Sequence, residues 1–239
     1  MPPTTGETAN TCSSYRAART GRMVVTKMRI RELSSRSGLS VPTIKYYLRE
    51  GLLQPGRAGA AGRQLYYDER HLSRLRLIRM LIVVGRMSLA SVREVLQAID
   101  NRGLPLAGLC AVVNEALFAE DASLNLAPER RGAADRVDSF VDGLGWRVAD
   151  TSPGRRTLTR VLTALERLSG DVDADVFVPY AEAAVRLAAL EAASMPQTLD
   201  SERDAATVVA RAVLLEAAMA ALRRMAREHL VGQAGRRSA

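Results

Sequence analysis

The sequence is poor in the residues that build reactive or cross-linked sites. It has two cysteines, Cys12 and Cys110, and two histidines, His71 and His229, in 239 residues. One chain can build neither a disulfide framework nor a cysteine-rich metal site from these. An iron–sulfur cluster held by four thiolates is likewise out of reach. Aromatic residues make up 4%, and a chain dominated by Ala, Leu, Val and Arg favours helix over strand. No unbroken apolar run reaches membrane length; Leu81-Ile82-Val83-Val84 is far too short. The first 27 residues lack the apolar middle of a signal peptide. No nucleophile–base pair, glycine-rich phosphate loop or metal cluster is visible, so no enzyme is expected. The expectation is a soluble, cytoplasmic protein with no cofactor, no metal and no membrane partner.

Lysine is scarce too: of 34 basic residues only Lys27 and Lys45 are Lys. The net charge is +8, and it is unevenly placed. Residues 28–100 hold thirteen Lys/Arg against six acids, whereas residues 101–239 hold seventeen against nineteen. A basic module joined to a near-neutral one points to a reader of polyanions with a second domain attached. Residues 1–27 add a Pro/Ser/Thr/Arg mixture that reads as a disordered basic arm.

The pattern in 28–100 is more specific than its charge. Ile30 and Leu33 fall one helical turn apart, with Leu39 and Ile44 placed to close a small core. Gly38 supplies a left-handed residue to end the first helix. Ser40 can cap the second, and Pro42 is tolerated in its first turn. Two short helices around a tight turn make a helix-turn-helix. Its second helix lies in the major groove, with Thr43, Lys45 and Tyr46 towards DNA and Ser40, Pro42 and Thr43 near the N-terminus, where base edges are reached. Lys45 and Tyr47 suit phosphate, and Arg31 and Arg49 extend the basic set. For Tyr46 and Tyr47 an inward, core position is an equal alternative. The segment from Gln54 to Tyr67 holds three glycines with Arg57 and Arg63 and ends on Leu65-Tyr66-Tyr67, a β-hairpin wing in outline. Asp68 and Ser88 are placed to cap two further helices, the first ending at Gly85.

This order of elements, with Thr43-Ile44-Lys45-Tyr46-Tyr47, the glycine-rich wing and Gly85-Arg86-Met87-Ser88-Leu89, resembles the winged helix-turn-helix domain of the MerR family of bacterial transcriptional regulators. The resemblance covers about 28–100. It implies double-stranded DNA as partner, contacted by the residues named above together with Gln64, Tyr66, Arg74 and Arg86. It also implies a homodimer on a palindrome within a promoter whose spacer is too long, so that RNA polymerase is served indirectly, through distortion of the DNA. The wing departs from the family: Gln64 stands where Arg is usual and Arg63 where Tyr is, and Lys45 replaces a commoner Arg in the recognition helix. A phosphate clamp weakened or shifted by one residue is expected.

Beyond 100 the resemblance implies a dimerisation helix over 104–121, where Leu106, Leu109, Val113 and Leu117 recur at three- and four-residue steps. The same spacing suits an intramolecular core helix. Residues 128–231 read as an all-α domain with helices at about 130–147, 153–169, 173–194 and 200–231, and 232–239 as a disordered tail. The fold expected is therefore mostly α, with a small β-hairpin wing. In the family such a C-terminal domain binds an effector. A lone Cys110 inside a helix disfavours a metal, which leaves a small organic ligand; Phe140, Trp146, Phe177 and Tyr180 are the aromatics available to line its pocket. The acidic run Asp171, Asp173, Asp175 with Glu182 has the spacing of a calcium loop. Its sixth position is Val176, where glycine is needed, so a helix-capping loop is the better reading. Two alternatives stand beside the effector-controlled regulator: a ligand-independent regulator whose C-terminal domain binds a protein, and an architectural DNA-bending factor.

Overall fold

The computed structural model describes residues 27–58, 64–121, 131–170 and 172–237. The fold is mostly helical, with one two-stranded hairpin: α1 (Ile30–Ser37), α2 (Val41–Arg49), β1 (Arg57–Ala58), β2 (Leu65–Tyr66), α3 (Glu69–Val83), α4 (Leu89–Asp100), α5 (Leu106–Asp121), α6 (Arg131–Gly143), α7 (Pro153–Ser169), a 3-10 turn (Ala174–Phe177), α8 (Val178–Ala193) and α9 (Glu202–Arg237). This is a winged helix-turn-helix followed by an all-α domain.

Local chemistry sets the boundaries in the first half. Gly38 ends α1 in the left-handed region, φ 69°, where glycine alone pays no steric penalty. The Ser40 side chain accepts from Thr43 N–H and starts α2. Asp68 accepts from the N–H groups of Arg70 and His71 at the start of α3, and Ser88 accepts from Ser91 N–H at the start of α4. Each cap satisfies amide donors that the first helical turn leaves unpaired. β1 and β2 pair antiparallel, Arg57 opposite Tyr66, and Met28 exchanges backbone hydrogen bonds with Tyr67, so the chain before α1 lies beside the hairpin.

The main core is continuous from the DNA-facing half into the second. Leu33, Ile44, Leu72, Leu75, Ile78, Leu81, Val92, Val95 and Leu96 are buried together with Leu109 and Val113 of α5 and Val208, Val209 and Val213 of α9. A smaller core gathers Ala133, Val137, Val141, Leu162 and Phe177 under α6 and α7. Beside it Arg155 is buried, donating to Asp142 Oδ1 at 2.7 Å, to Asp138 Oδ1 at 3.1 Å and to the Val148 carbonyl at 3.3 Å. These bonds, the one to Asp142 foremost, raise its pKa above the ordinary arginine value. A buried charge needs such partners.

Three expectations shift. Helix α6 stops at Gly143, short of 147, because Gly145 turns left-handed at φ 68° and Gly145 N–H closes on the Asp142 carbonyl. The region from 173 opens with a 3-10 turn capped by Asp173, which accepts from Ala174 N–H, before α8 begins. Helix α9 runs on to Arg237, where a tail from 232 was expected; Gly232 and Gly235, each a penalty of about 1 kcal/mol, do not stop it. The expected arm over 1–27 lies, apart from Lys27, outside the described residues. One helix among the described residues, Glu202–Val231 of α9, passes the length and composition test for crossing a membrane, with a mean hydropathy of 1.8 over its most apolar 18 residues. Unbroken runs miss it because Arg211 and Glu216 interrupt it. Its first turns are buried against α3, α4 and α5.

Candidate nucleic-acid interface

Helix α2 divides cleanly by face. Ile44 and Tyr47 point into the core, and Pro42, Lys45 and Arg49 point out, at three- and four-residue steps. Thr43 and Tyr46 sit half-buried on the border. The outward stripe carries two cations and no acid until Glu50, and Glu50 is held by Arg93 of α4 at 2.8 Å. The Ser40 and Thr43 hydroxyls lie 2.8 Å apart, so the N-terminal turn that would meet base edges is fixed before DNA arrives. Such a stripe fits a major groove, where cations meet phosphate and short side chains approach base edges.

The two tyrosines separate. Tyr47 is a core residue; burial raises its pKa, and the neighbouring Tyr46 adds to this. Its hydroxyl thus stays protonated. Tyr46 packs on it at 5.9 Å between ring centres and keeps part of its surface outward.

The wing follows this helix in the chain. Arg57 is exposed on β1, Gln64 is exposed, and the Tyr66 hydroxyl donates to Gln64 Oε1 at 3.3 Å. Lys27 places its ammonium 6.0 Å from the centre of the Tyr66 ring. Lys27 thereby joins Arg57 at the hairpin, an addition that only the pairing of Met28 with Tyr67 reveals. Arg63 lies outside the described residues. Arg31 is exposed on α1.

Arg74 is committed inside the protein. It forms a two-pronged pair with Asp100, both bonds 2.7 Å, and its Nε donates to the Leu52 carbonyl at 3.2 Å. It ties α3 to the end of α4 and to the loop after α2, which makes it a positioning residue. Arg86 is exposed in the α3–α4 turn, in the left-handed region at φ 53°, a conformation that costs a non-glycine residue about 1 kcal/mol. Met87 N–H, donating to the Leu81 carbonyl at 3.1 Å, holds that turn. Missing from the sequence reading was a second basic surface: Arg36, Arg76 and Arg79 line a groove with Ser35, Gly38 and Met80 between α1 and α3. The helical spacing of Arg76 and Arg79 on the polar side of α3 was the available signal.

The residues expected at the dimer interface divide. Leu109 and Val113 are buried by the chain's own α4 and α9; Leu106 and Leu117 are half-buried against the same core. The intramolecular alternative describes the described face of α5. Cys110 sits half-buried there, and burial pushes its thiol pKa up.

The four aromatics expected around a ligand are not brought together. Phe140 and Phe177 pack at 6.1 Å inside the smaller core. Trp146 is exposed, and Tyr180 stands on α8 with the Arg223 guanidinium 5.0 Å from its ring centre. A cleft of about 350 Å³ lies elsewhere, at the α8–α9 corner, lined by Ser194, Met195, Pro196, Asp204, Thr207, Val208 and Arg211. Among the described residues no group of three or more His, Cys, Asp or Glu is placed to hold a metal ion.

Residues 28–99 match the MerR HTH regulatory protein family. The crystal structure of SCO5550 from Streptomyces coelicolor A3(2), a protein assigned as a transcriptional regulator, is 37% identical in sequence, with a TM-score of 0.55 over 84% of this chain and 95% of that one. No curated protein matches the chain. The exposed cationic stripe on a capped second helix, the adjoining hairpin and these two matches agree: the chain belongs to the MerR family of helix-turn-helix regulatory proteins and is a DNA-binding transcriptional regulator.

Proposed function

We propose that the protein acts as a homodimer on a twofold promoter site and answers to a small organic effector held in its C-terminal domain. The observation that carries the DNA part is the outward stripe Pro42, Lys45 and Arg49 on a helix whose first turn is pinned by Ser40. Thr43 and Tyr46 supply the border contacts; Arg57, with Lys27 beside Tyr66, supplies phosphate contacts at the wing. One such module contacts a few base pairs, and twofold proteins gain specificity by reading two half-sites. RNA polymerase is then served through the distorted DNA. Action on promoter DNA supports a cytoplasmic location.

The effector part is supported by the cleft at the α8–α9 corner and by what α9 touches next. Arg211 donates to Ser194 Oγ at 2.7 Å across that corner. Two residues on, Val213 packs so closely on Gly85 that a β-carbon there would lie 3.0 Å from Val213 Cγ1. Gly85 belongs to the α3–α4 turn that carries Arg86. A ligand that tilts α9 thus moves the turn beside the DNA.

The test is footprinting on DNA upstream of the protein's own gene, at physiological salt with excess non-specific competitor. Wild type should protect a twofold site, and Lys45→Ala should lose it and lower the slope of log affinity against log salt by about one. Binding that competitor abolishes equally in both proteins means that charge alone drives it, and the sequence-specific reading falls.

A further inference from the structure

Helix α9 changes character midway. Through Val213 its apolar residues are buried by α3, α4 and α5; from Leu214 to Val231 every residue is exposed. That second part is nevertheless amphipathic. Leu215, Met219, Leu222 and Ala226 follow at four-, three- and four-residue steps, with Leu214, Ala218, Ala221 and Met225 on the adjacent row. Glu216, Arg223, Arg224, Arg227 and Glu228 lie on the other side of the helix. Tyr180 of α8 covers part of that polar side by stacking on Arg223. Both faces stand in water, the polar one with its charges and the apolar one, which also carries His229, with large hydrophobic side chains. Leu222 is 60% exposed, Met225 62% and Leu230 64%.

We propose that this face, residues 214–231 of α9, is where a second copy of the chain packs. The inference rests on the homodimer reading above and names its surface. Two arguments favour a copy over another occupant. The first is spacing: a 4-3-4 apolar repeat with small Ala residues between the large ones is what a helix needs to face another like itself. The second is area. Leu214, Leu215, Met219, Leu222, Met225 and Leu230, all on one side of the helix, together leave roughly 600 Å² of surface per chain in water, the upper end of what a monomer ordinarily exposes in one patch and approaching the ~800 Å² per partner of a standard interface. Helix α5, the other helix with the right repeat, has already turned Leu109 and Val113 into its own chain's core.

The experiment is sedimentation equilibrium of the full chain over a range of concentrations, for wild type, for Leu222→Glu with Met225→Glu, and for Ala111→Arg on the exposed side of α5. Hydrogen exchange of wild type at high and low concentration accompanies it, so that the result does not depend on the variants folding. Wild type should be a dimer, with exchange over 214–231 slowed only at high concentration. The double variant should weaken dimerisation by at least about a hundredfold at unchanged helix content, and Ala111→Arg should not. A dimer that survives the double variant but dissociates with Ala111→Arg overturns this surface and leaves the homodimer reading standing. A wild type that is monomeric at every concentration overturns both. In that case flotation with anionic vesicles, lost in the double variant, would assign the face to lipid.

Discussion

Helices α2 and α9 make an instructive pair. Helix α2 buries one side against the core and leaves the other in water; α9 buries its first turns against the same core and leaves its second half in water. On α2 the outward residues are Pro42, Lys45 and Arg49; on α9 beyond Val213 they are Leu215, Met219, Leu222 and Met225. Burial explains why each helix forms, but only the outward face says what it is for. Cations at helical spacing suit a polyanion whose charge is spread along a groove. An apolar repeat has no such use in water and needs a surface of its own kind. The two ends of one core thus present two recognition chemistries, one for DNA and one for protein.

The comparison is broken most forcefully by truncating each side. Ile44→Ala on α2 and Leu109→Ala on α5 remove fully buried side chains and should each cost about 2–5 kcal/mol of unfolding free energy in urea titrations. Leu222→Ala removes as many carbons from an exposed position. Measured on dilute protein, where dimer is absent, it should change stability by no more than about 0.5 kcal/mol. Should Leu222→Ala match Ile44→Ala under those conditions, the outer face of α9 is packed within one chain and the contrast with α2 disappears.

Much of this was legible because the first half obeys local rules. Gly38, Ser40, Asp68 and Ser88 each mark a boundary by a short-range effect, a left-handed turn or a hydroxyl or carboxylate on an N-terminal amide, and such effects need no tertiary knowledge. The core side of α2 was half legible: the period placed Ile44 inward, but Tyr46 and Tyr47 are adjacent, and only packing decided between them. The partners of Arg74 were not legible, for the opposite reason. Its partners, Asp100 and Leu52, are remote in sequence, so nothing local distinguished it from the exposed arginines around it. The same blindness governs the dimer and the pocket. The spacing of Leu106, Leu109, Val113 and Leu117 specifies a helix with an apolar side, not whose apolar side it meets. Composition offered four aromatics in the second half but not where each packs: Phe140 and Phe177 lie in the smaller core, and Trp146 and Tyr180 at the surface.

A finer contrast lies in how the outward faces are held. The α2 stripe depends on the Ser40 cap, where the hydroxyl accepts from Thr43 N–H at 3.2 Å. Ser40→Ala should cost about 1 kcal/mol. It should also weaken operator DNA more than non-specific DNA, because the loosened turn carries Pro42 and Thr43 while Lys45 keeps its charge. Ser88→Ala at the start of α4 is the matched control, with a similar stability cost. Equal loss on both DNAs from Ser40→Ala would reduce the cap to a stability device.

The smallest effect concerns pH. Burial alone would raise the Asp68 pKa, but bonds from the His71 ring and backbone and from Arg70 N–H outweigh it and hold the carboxyl below its ordinary 3.8. A group whose folded pKa is depressed stabilises the fold above the unfolded value and loses that contribution as pH falls through the folded value. Asp68→Asn keeps an oxygen at the cap of α3 and removes the titration. Near neutral pH it should be less stable than wild type by about 0.3–1 kcal/mol, the scale of a carboxylate at a helix N-terminus. As pH drops below about 4 that difference should shrink towards zero, because protonated Asp68 no longer outperforms Asn. Urea titrations of both proteins from pH 7 to pH 3 decide it. A difference that stays constant would mean that the carboxylate charge contributes nothing at this cap and that hydrogen-bond geometry alone starts α3.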